Sequence, residues 1–200
     1  MEKKYIILTD KTLEFNSHTL HRIQAVKDFS DVKKGDIGGY IESEENLSHE
    51  NDCWVYDDAK VYDKANVLLD SKVYDKAEVY DHAWLQGFDS YVKDSAKVYG
   101  SAGIQDDAKV YGNAEVFGYA KVYENATIYR NAKVYDNAEI SDNAQVYDSA
   151  KVHDSAKVYG NAEVYGGVNI FGNAKVYGNA EVYSNAKVDY NVSGDTKVNK

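Results

Sequence analysis

The chain contains no proline, one cysteine and one methionine among 200 residues, and few aliphatic side chains larger than valine. Each shortage excludes something. With Cys53 alone, no intrachain disulfide can form, as expected of a protein kept in a reducing compartment. The scarcity of leucine and phenylalanine excludes a conventional core of large hydrophobes. A basic surplus is missing too: the net charge is -10, which argues against a general binder of nucleic acid or anionic membrane. No apolar run approaches the length of a membrane span. The opening residues MEKKYIILTDKTLEF are charged almost at once and never develop a long apolar stretch, so no signal peptide and a cytoplasmic location are expected. The Asn-x-Ser/Thr triplets at Asn46, Asn125 and Asn191 therefore carry no weight.

What is present is tyrosine, 19 of them, set in a strict register. The stretch AKVYGNAEVFGYAKVYENATIYRNAKVYDN, Ala108 to Asn137, shows it. An aliphatic residue recurs at every sixth position from Val92 through Val98, Ile104 and Val110 to Val188. A small residue stands two places before each, with Ser90 and Val168 replacing the usual alanine. An earlier block keeps the same spacing from Val55 to Leu85. Between Leu85 and Val92 one extra residue enters, at Gly87-Phe88-Asp89, and predicts a small outward loop or bulge.

A period of six excludes a simple α-helix. Ala-x-Val places two small apolar side chains on one side of a short strand. The Asp-Asn, Gly-Asn and Asp-Ser pairs that follow tolerate turn conformations and bond to nearby backbone. Each hexad is thus a strand and a corner. Three hexads close a triangular coil of 18 residues, and coils stack as parallel strands about 4.8 Å apart. Each buried valine then contributes about 1.5–3 kcal/mol against exposure.

From residue 53 to about 190 the hexads resemble those of the hexapeptide-repeat superfamily of left-handed parallel β-helix proteins. There an aliphatic residue and a small one four places later fill the prism, as Val-Tyr-Asp-Asn-Ala-Lys supplies here. The departure is the tyrosine directly after the aliphatic residue, where that family often has glycine, alanine or an acid. The segment RIQAVKDFSDVKKGDIGGYIESEENLSHENDCWVYDDAKVY, residues 22–62, is similar to the entry segment of YdcK-type bacterial hexapeptide proteins. That resemblance implies phage and prophage company, and labels of transferase or polymer-forming protein without demonstrated activity.

The expected fold is therefore all-β: a left-handed parallel β-helix over residues 53–190, an N-terminal β cap over 1–52 and a polar tail over 191–200. In the cap, KYIILTD, KTLEF and HRIQAVKDF read as strands and KKGDIGG as a turn. The cap covers strand edges and apolar interior that an open end would expose. Cys53 occupies an alanine position and reads as a buried small hydrophobe.

The residue after each aliphatic points outward, and every eighteenth residue shares a side. One side carries Tyr56, Tyr74, Lys93, Tyr111, Tyr129, Tyr147, Tyr165 and Tyr183; the next Tyr62, Tyr80, Tyr99, Phe117, Tyr135, His153 and Phe171. The third is broken: Leu68, Gln86, Gln105, Tyr123, Ser141, Tyr159 and Tyr177. Rings on neighbouring strands stack, contributing about 0.5–1.5 kcal/mol per pair beyond area burial. The two filled sides, from Tyr111 to Tyr183 and from Tyr99 to Phe171, form the candidate binding surface, because tyrosine is enriched at interfaces. Beside the second lie Lys97, Lys133 and Lys151, candidate contacts for a phosphate or other anion.

No catalytic site is legible. The resemblance implies acyl transfer from an acyl carrier by a histidine near a subunit boundary and a protruding loop. Of the five histidines, His153 replaces an aromatic rung, His82 sits at a corner, and His18, His21 and His49 lie in the cap. Acidic corner pairs such as Asp57-Asp58 and Asp106-Asp107 lack a calcium-loop pattern, and neither metal nor cofactor is expected. A nucleic-acid mimic falls short in charge: B-DNA carries one charge per about 1.7 Å of axis. One corner column here offers at most one acid per coil of about 4.8 Å. The expectation is a non-catalytic, rigid binding or assembly module that meets a protein or its own copies, through the aromatic sides or the C-terminal end. A phage-related role against a host defence protein is the associated expectation. Alternatives are an acyl-CoA-dependent acyltransferase and a partial nucleic-acid mimic; a nucleotide ligand has no specific support.

Overall fold

A computed structural model describes residues 2–200. The chain forms a parallel β-solenoid of about nine turns, an all-β architecture with the form of a left-handed β-helix. Its three sides are sheets of 11, 9 and 7 strands, and most coil strands are only two residues long. The register is in step from coil to coil: Val98 pairs with Val116, Val116 with Val134 and Val134 with Val152. Valine, isoleucine and alanine fill the interior, as the hexad predicts, and from Ala96 to Val188 every residue at these positions is fully buried.

The corners explain the acidity. From Val92 to Val182 the residue two places after each aliphatic adopts positive φ, for example Asp136 (57°), Asp142 (55°), Asp148 (59°) and Asp154 (58°). Aspartate tolerates this region better than most residues because its short side chain bonds locally. Here it also bonds to the next coil. The Asp142 carboxylate accepts the Gly160 N–H at 2.7 Å, and Asp154 accepts the Gly172 N–H at 2.8 Å. An asparagine file on another corner position does likewise with side-chain amides, running from Asn125 through Asn143, Asn161 and Asn179 to Asp195. These corners are inter-coil fasteners as well as solvated turns.

At the N-terminal end β1 (Tyr5–Phe15) and β2 (His18–Ala25) form an antiparallel hairpin, and β2 pairs with β3 (Ile37–Ile41). In KKGDIGG the expected turn forms at Lys33–Asp36, with Gly35 at φ 99°, but Gly38 and Gly39 lie within β3. A Cβ on Gly38 would stand 2.6 Å from the Trp54 ring, so close packing is what requires glycine there. β3 then pairs in parallel with Lys60–Val61, and Leu47 bridges Val67. The parallel ladder thus starts upstream of residue 53. It also runs past 190: Val192 bridges Val176 and Lys197–Val198 pairs with Glu181–Val182, so residues 191–200 form a last partial coil rather than a free tail.

Buried chemistry ties the cap down. Lys4, only 1 % exposed, donates to the carbonyls of Asn51 (3.1 Å) and Cys53 (2.7 Å) and lies 3.2 Å from Cys53 Sγ. Burial pushes the Cys53 thiol up and the Lys4 amine down, in keeping with Cys53 as interior packing.

Candidate functional site: the aromatic columns

Because each coil advances by one strand spacing, the outward ring of one coil falls on the ring of the next. Along the second side Tyr62, Tyr80, Tyr99, Phe117, Tyr135 and His153 stack face to face at centroid spacings of 4.8–5.1 Å, with Phe171 following at 5.9 Å. Along the first side Tyr111, Tyr129, Tyr147, Tyr165 and Tyr183 do the same at 4.7–5.4 Å. The structure therefore brings together the aromatic residues that the register assigns to each side.

It changes how they present themselves. A stacked ring gives both faces to its neighbours, so these tyrosines are half-buried, Tyr62 under the cap almost wholly so, and from Tyr80 onward they show mainly edges and hydroxyls. Several hydroxyls are engaged as well. Tyr99 donates to Glu115 at 3.0 Å, Tyr147 to Glu163 at 3.2 Å and Tyr129 to Gln145 at 3.4 Å, each sixteen residues on. His153 Nε2 meets Asn169 at 2.9 Å in the same relation. Burial, followed by the Glu115 hydrogen bond, pushes the Tyr99 phenol up. Burial also raises Tyr74 and Tyr80 to about 12.

The first column breaks where the register places Lys93, and the structure fills the break in a way that the register does not reveal. Lys93 takes the place of an aromatic, and the Tyr91 ring, from two residues earlier, swings in beside it. Tyr91 meets Tyr74 edge-on at 6.4 Å and Tyr111 tilted at 6.5 Å, while Lys93 Nζ lies 5.4 and 5.3 Å from the Tyr91 and Tyr111 rings. The signal was a tyrosine standing where lysine or glutamate is usual. An open cleft of about 410 Å³ lies here, lined by Tyr74, Asp75, Asp89, Tyr91 and Lys93, next to Phe88, which is 70 % exposed on the inserted loop.

Of the three candidate anion contacts, Lys97 lies 3.4 Å from Glu78 and Lys133 2.8 Å from Glu115. Their charge is largely spent within the surface. Lys151 is exposed and has no ion pair among the described residues.

The histidines are dispersed. His49 is stacked on Tyr5 at 4.2 Å, and burial pushes its pKa down. His18 places Nδ1 3.1 Å from Glu42 and Nε2 3.7 Å from Asp63. The hydrogen bond to Glu42 holds its pKa up. His18, Glu42 and Asp63 bring ligand-type atoms within 4.8 Å of one another, as do Asp136, His153 and Asp154. In the first group Glu42 also accepts the Asp63 N–H at 2.7 Å, and both imidazole nitrogens face carboxylates, an arrangement suited to charge pairing.

Hexads, inward Val/Ala and a parallel solenoid together fit a hexapeptide-repeat family. No family model matches the chain. Over 38 residues it is 47% identical to a protein named Uncharacterized acetyltransferase YdcK, from Escherichia coli (strain K12). That segment is 19% of this chain and 12% of the other protein, so the likeness spans a small part of both. Among the described residues no helix is long and apolar enough to cross a membrane.

Proposed function

We propose that the protein is a rigid, non-catalytic binding module that docks a protein partner or a second copy along its aromatic sides. The observation that carries this reading is the pair of stacked columns running most of the rod's length. Rings already immobilised by stacking cost little conformational entropy when a partner covers them, and tyrosine edges offer both apolar area and a hydroxyl. Inter-coil carboxylate and amide files keep the surface stiff. A host protein as the partner is the form of this reading that the phage-like resemblance suggests.

The test replaces Tyr129, Tyr147 and Tyr165 together by serine. Mass by light scattering and capture of the native partner should both fall, with circular dichroism unchanged. Unaltered association in a folded variant rules out these columns.

The segment shared with a protein named as an acetyltransferase favours a second reading, acyl transfer from coenzyme A. It predicts a thermal upshift with acetyl-CoA that disappears when one histidine is replaced. No shift between about pH 6 and pH 9, the range in which a histidine base titrates, counts against it.

A further inference from the structure

One rung of the second column is an imidazole. His153 stacks on Tyr135 at 4.8 Å and on Phe171 at 5.9 Å, so packing on both faces fixes its plane. Its two nitrogens have different surroundings. Nε2 reaches the residue sixteen positions on, as Tyr99 does with Glu115, and meets Asn169 Oδ1 at 2.9 Å. A carbonyl oxygen only accepts, so in the neutral ring Nε2 carries the proton and Nδ1 keeps a lone pair. Nδ1 is an atom that tyrosine and phenylalanine cannot supply at this rung. It lies 3.4 Å from Asp154 Oδ1, beyond the range of roughly 2.7–3.2 Å for an N–H···O bond.

Two carboxylates are held beside that lone pair. Asp154 is anchored through Oδ2, which accepts the Gly172 N–H at 2.8 Å. Asp136, one coil earlier, accepts the Asp154 N–H through its own Oδ2 at 3.4 Å. Each of the three side chains offers one ligand atom, and these atoms lie within 4.8 Å of one another. Both aspartates are exposed, so the group opens to solvent. Metal bonds of about 2.1 Å at a tetrahedral angle put two ligand atoms about 3.4 Å apart, and that is the Nδ1–Oδ1 separation found here. An octahedral Mg2+ would draw neighbouring ligands to about 2.9 Å. A metal-bound imidazole gives its other N–H to an oxygen that orients the ring, the part that Asn169 plays. The His18 group lacks this order. Both of its nitrogens face carboxylates, and Glu42 gives one oxygen to His18 and the other to the Asp63 N–H.

We propose that His153 Nδ1, Asp154 and Asp136 form a binding site for one divalent transition-metal ion, and that the ion is Zn2+. Two carboxylates balance its charge, and the imidazole selects it over the hard cations Mg2+ and Ca2+, which prefer oxygen ligands. Water takes the remaining position of the tetrahedral ion. Asn169 is a positioning residue: it fixes which nitrogen is free. The site stands apart from the binding-module reading, because His153 belongs to the second column and Tyr129, Tyr147 and Tyr165 to the first.

The test titrates the whole chain, freed of metal by a chelator, with Zn2+ at about pH 7.5, where an ordinary histidine is neutral. Imidazole nitrogen spectra should show His153 with its proton on Nε2 before zinc is added, and a saturable shift at Nδ1 afterwards. Mg2+ and Ca2+ should bind more than about tenfold less tightly. His153→Phe keeps an aromatic rung of a kind the column already uses at Phe117 and Phe171, so it should fold and lose the calorimetric response. Asp154→Asn keeps an oxygen for the Gly172 N–H and should weaken zinc binding while the melting temperature holds. Asn169→Ala should weaken it by about 10–100-fold, the effect of losing the group that orients a ligand. A proton on Nδ1 in the metal-free protein would show an ordinary histidine–aspartate pair and overturn the proposal. So would no saturable shift at His153, uptake at His18 alone, equal binding of Mg2+, or zinc binding retained by His153→Phe.

Discussion

Asp142 and Gly160 occupy the same corner position on successive coils, and the carboxylate of the first accepts the N–H of the second at 2.7 Å. Asp142 does so from a φ of 55°. One residue thus provides both the corner and the fastening, which is why aspartate recurs at this place.

Substitutions at Asp142 should separate the two contributions. Alanine loses a hydrogen bond worth about 0.5–1.5 kcal/mol and bears a left-handed backbone cost of about 1–2 kcal/mol. Urea unfolding should therefore show about 2 kcal/mol of destabilisation. Glycine relieves the backbone and loses only the bond; asparagine keeps most of both. Equal losses for alanine and glycine would show that the positive φ costs nothing here.

At the inserted residue the packing is tighter still. A Cβ on Gly87 would stand 1.9 Å from the Asp106 carbonyl oxygen, and the Gly87 N–H is already held by Ser71 Oγ at 2.9 Å. The clash is with backbone, so no side chain can swing aside. Gly87→Ala should destabilise by about 3 kcal/mol, at the upper end of overpacking effects. Phe88→Ala on the same loop should cost little, since that ring is 70 % exposed. Thermal melts of the two variants give the comparison.

The repeat itself was legible because its period forbids a helix and its Val/Ala spacing leaves one way to face inward. Column membership followed from counting eighteens. Three things were hidden, each for a physical reason. Gly38-Gly39 reads as a turn, yet it is strand backbone thinned to admit Trp54, a long-range contact that no local pattern reports. Tyr91 lies off the column by sequence and enters it only because Lys93 leaves a ring-sized vacancy. The lysines beside the second column look like a basic stripe, but glutamates one coil away neutralise Lys97 and Lys133. Periodicity fixes where side chains stand; whom they meet depends on neighbours eighteen residues away.

The buried phenols make a prediction about alkali. Burial raises Tyr74 and Tyr80 to about 12, against an ordinary value of 10.0. The folded state therefore keeps phenol protons that the unfolded chain releases, so stability falls as pH rises above about 10. Denaturant midpoints should be flat from pH 8 to pH 9.5, both roughly below that threshold, and decline beyond it. Ultraviolet titration should show a late-ionising group of tyrosines that merges with the rest on unfolding. Phenols that all ionise together in the folded protein would contradict the half-buried ladder.

His18 gives the same sign in a lower pH window. Its imidazole lies between Glu42 at 3.1 Å and Asp63 at 3.7 Å, with the Tyr62 ring tilted against it at 5.0 Å. Its pKa is held above the usual 6.5, first by the hydrogen bond to Glu42 and also by the charge of Asp63. A raised folded value means that the charged form favours the native state. The contribution is fully present below about 6.5 and is lost as pH rises through the higher folded value. Replacing His18 by glutamine should thus lower the melting temperature more at about pH 6 than at about pH 8.5. Because His18 joins the cap hairpin to the first coils, amide exchange in β1 and β2 should rise with it, while Val134 and its neighbours stay protected. A pH-independent difference between the two proteins would mean that the ring acts through packing on Tyr62 and not through its charge.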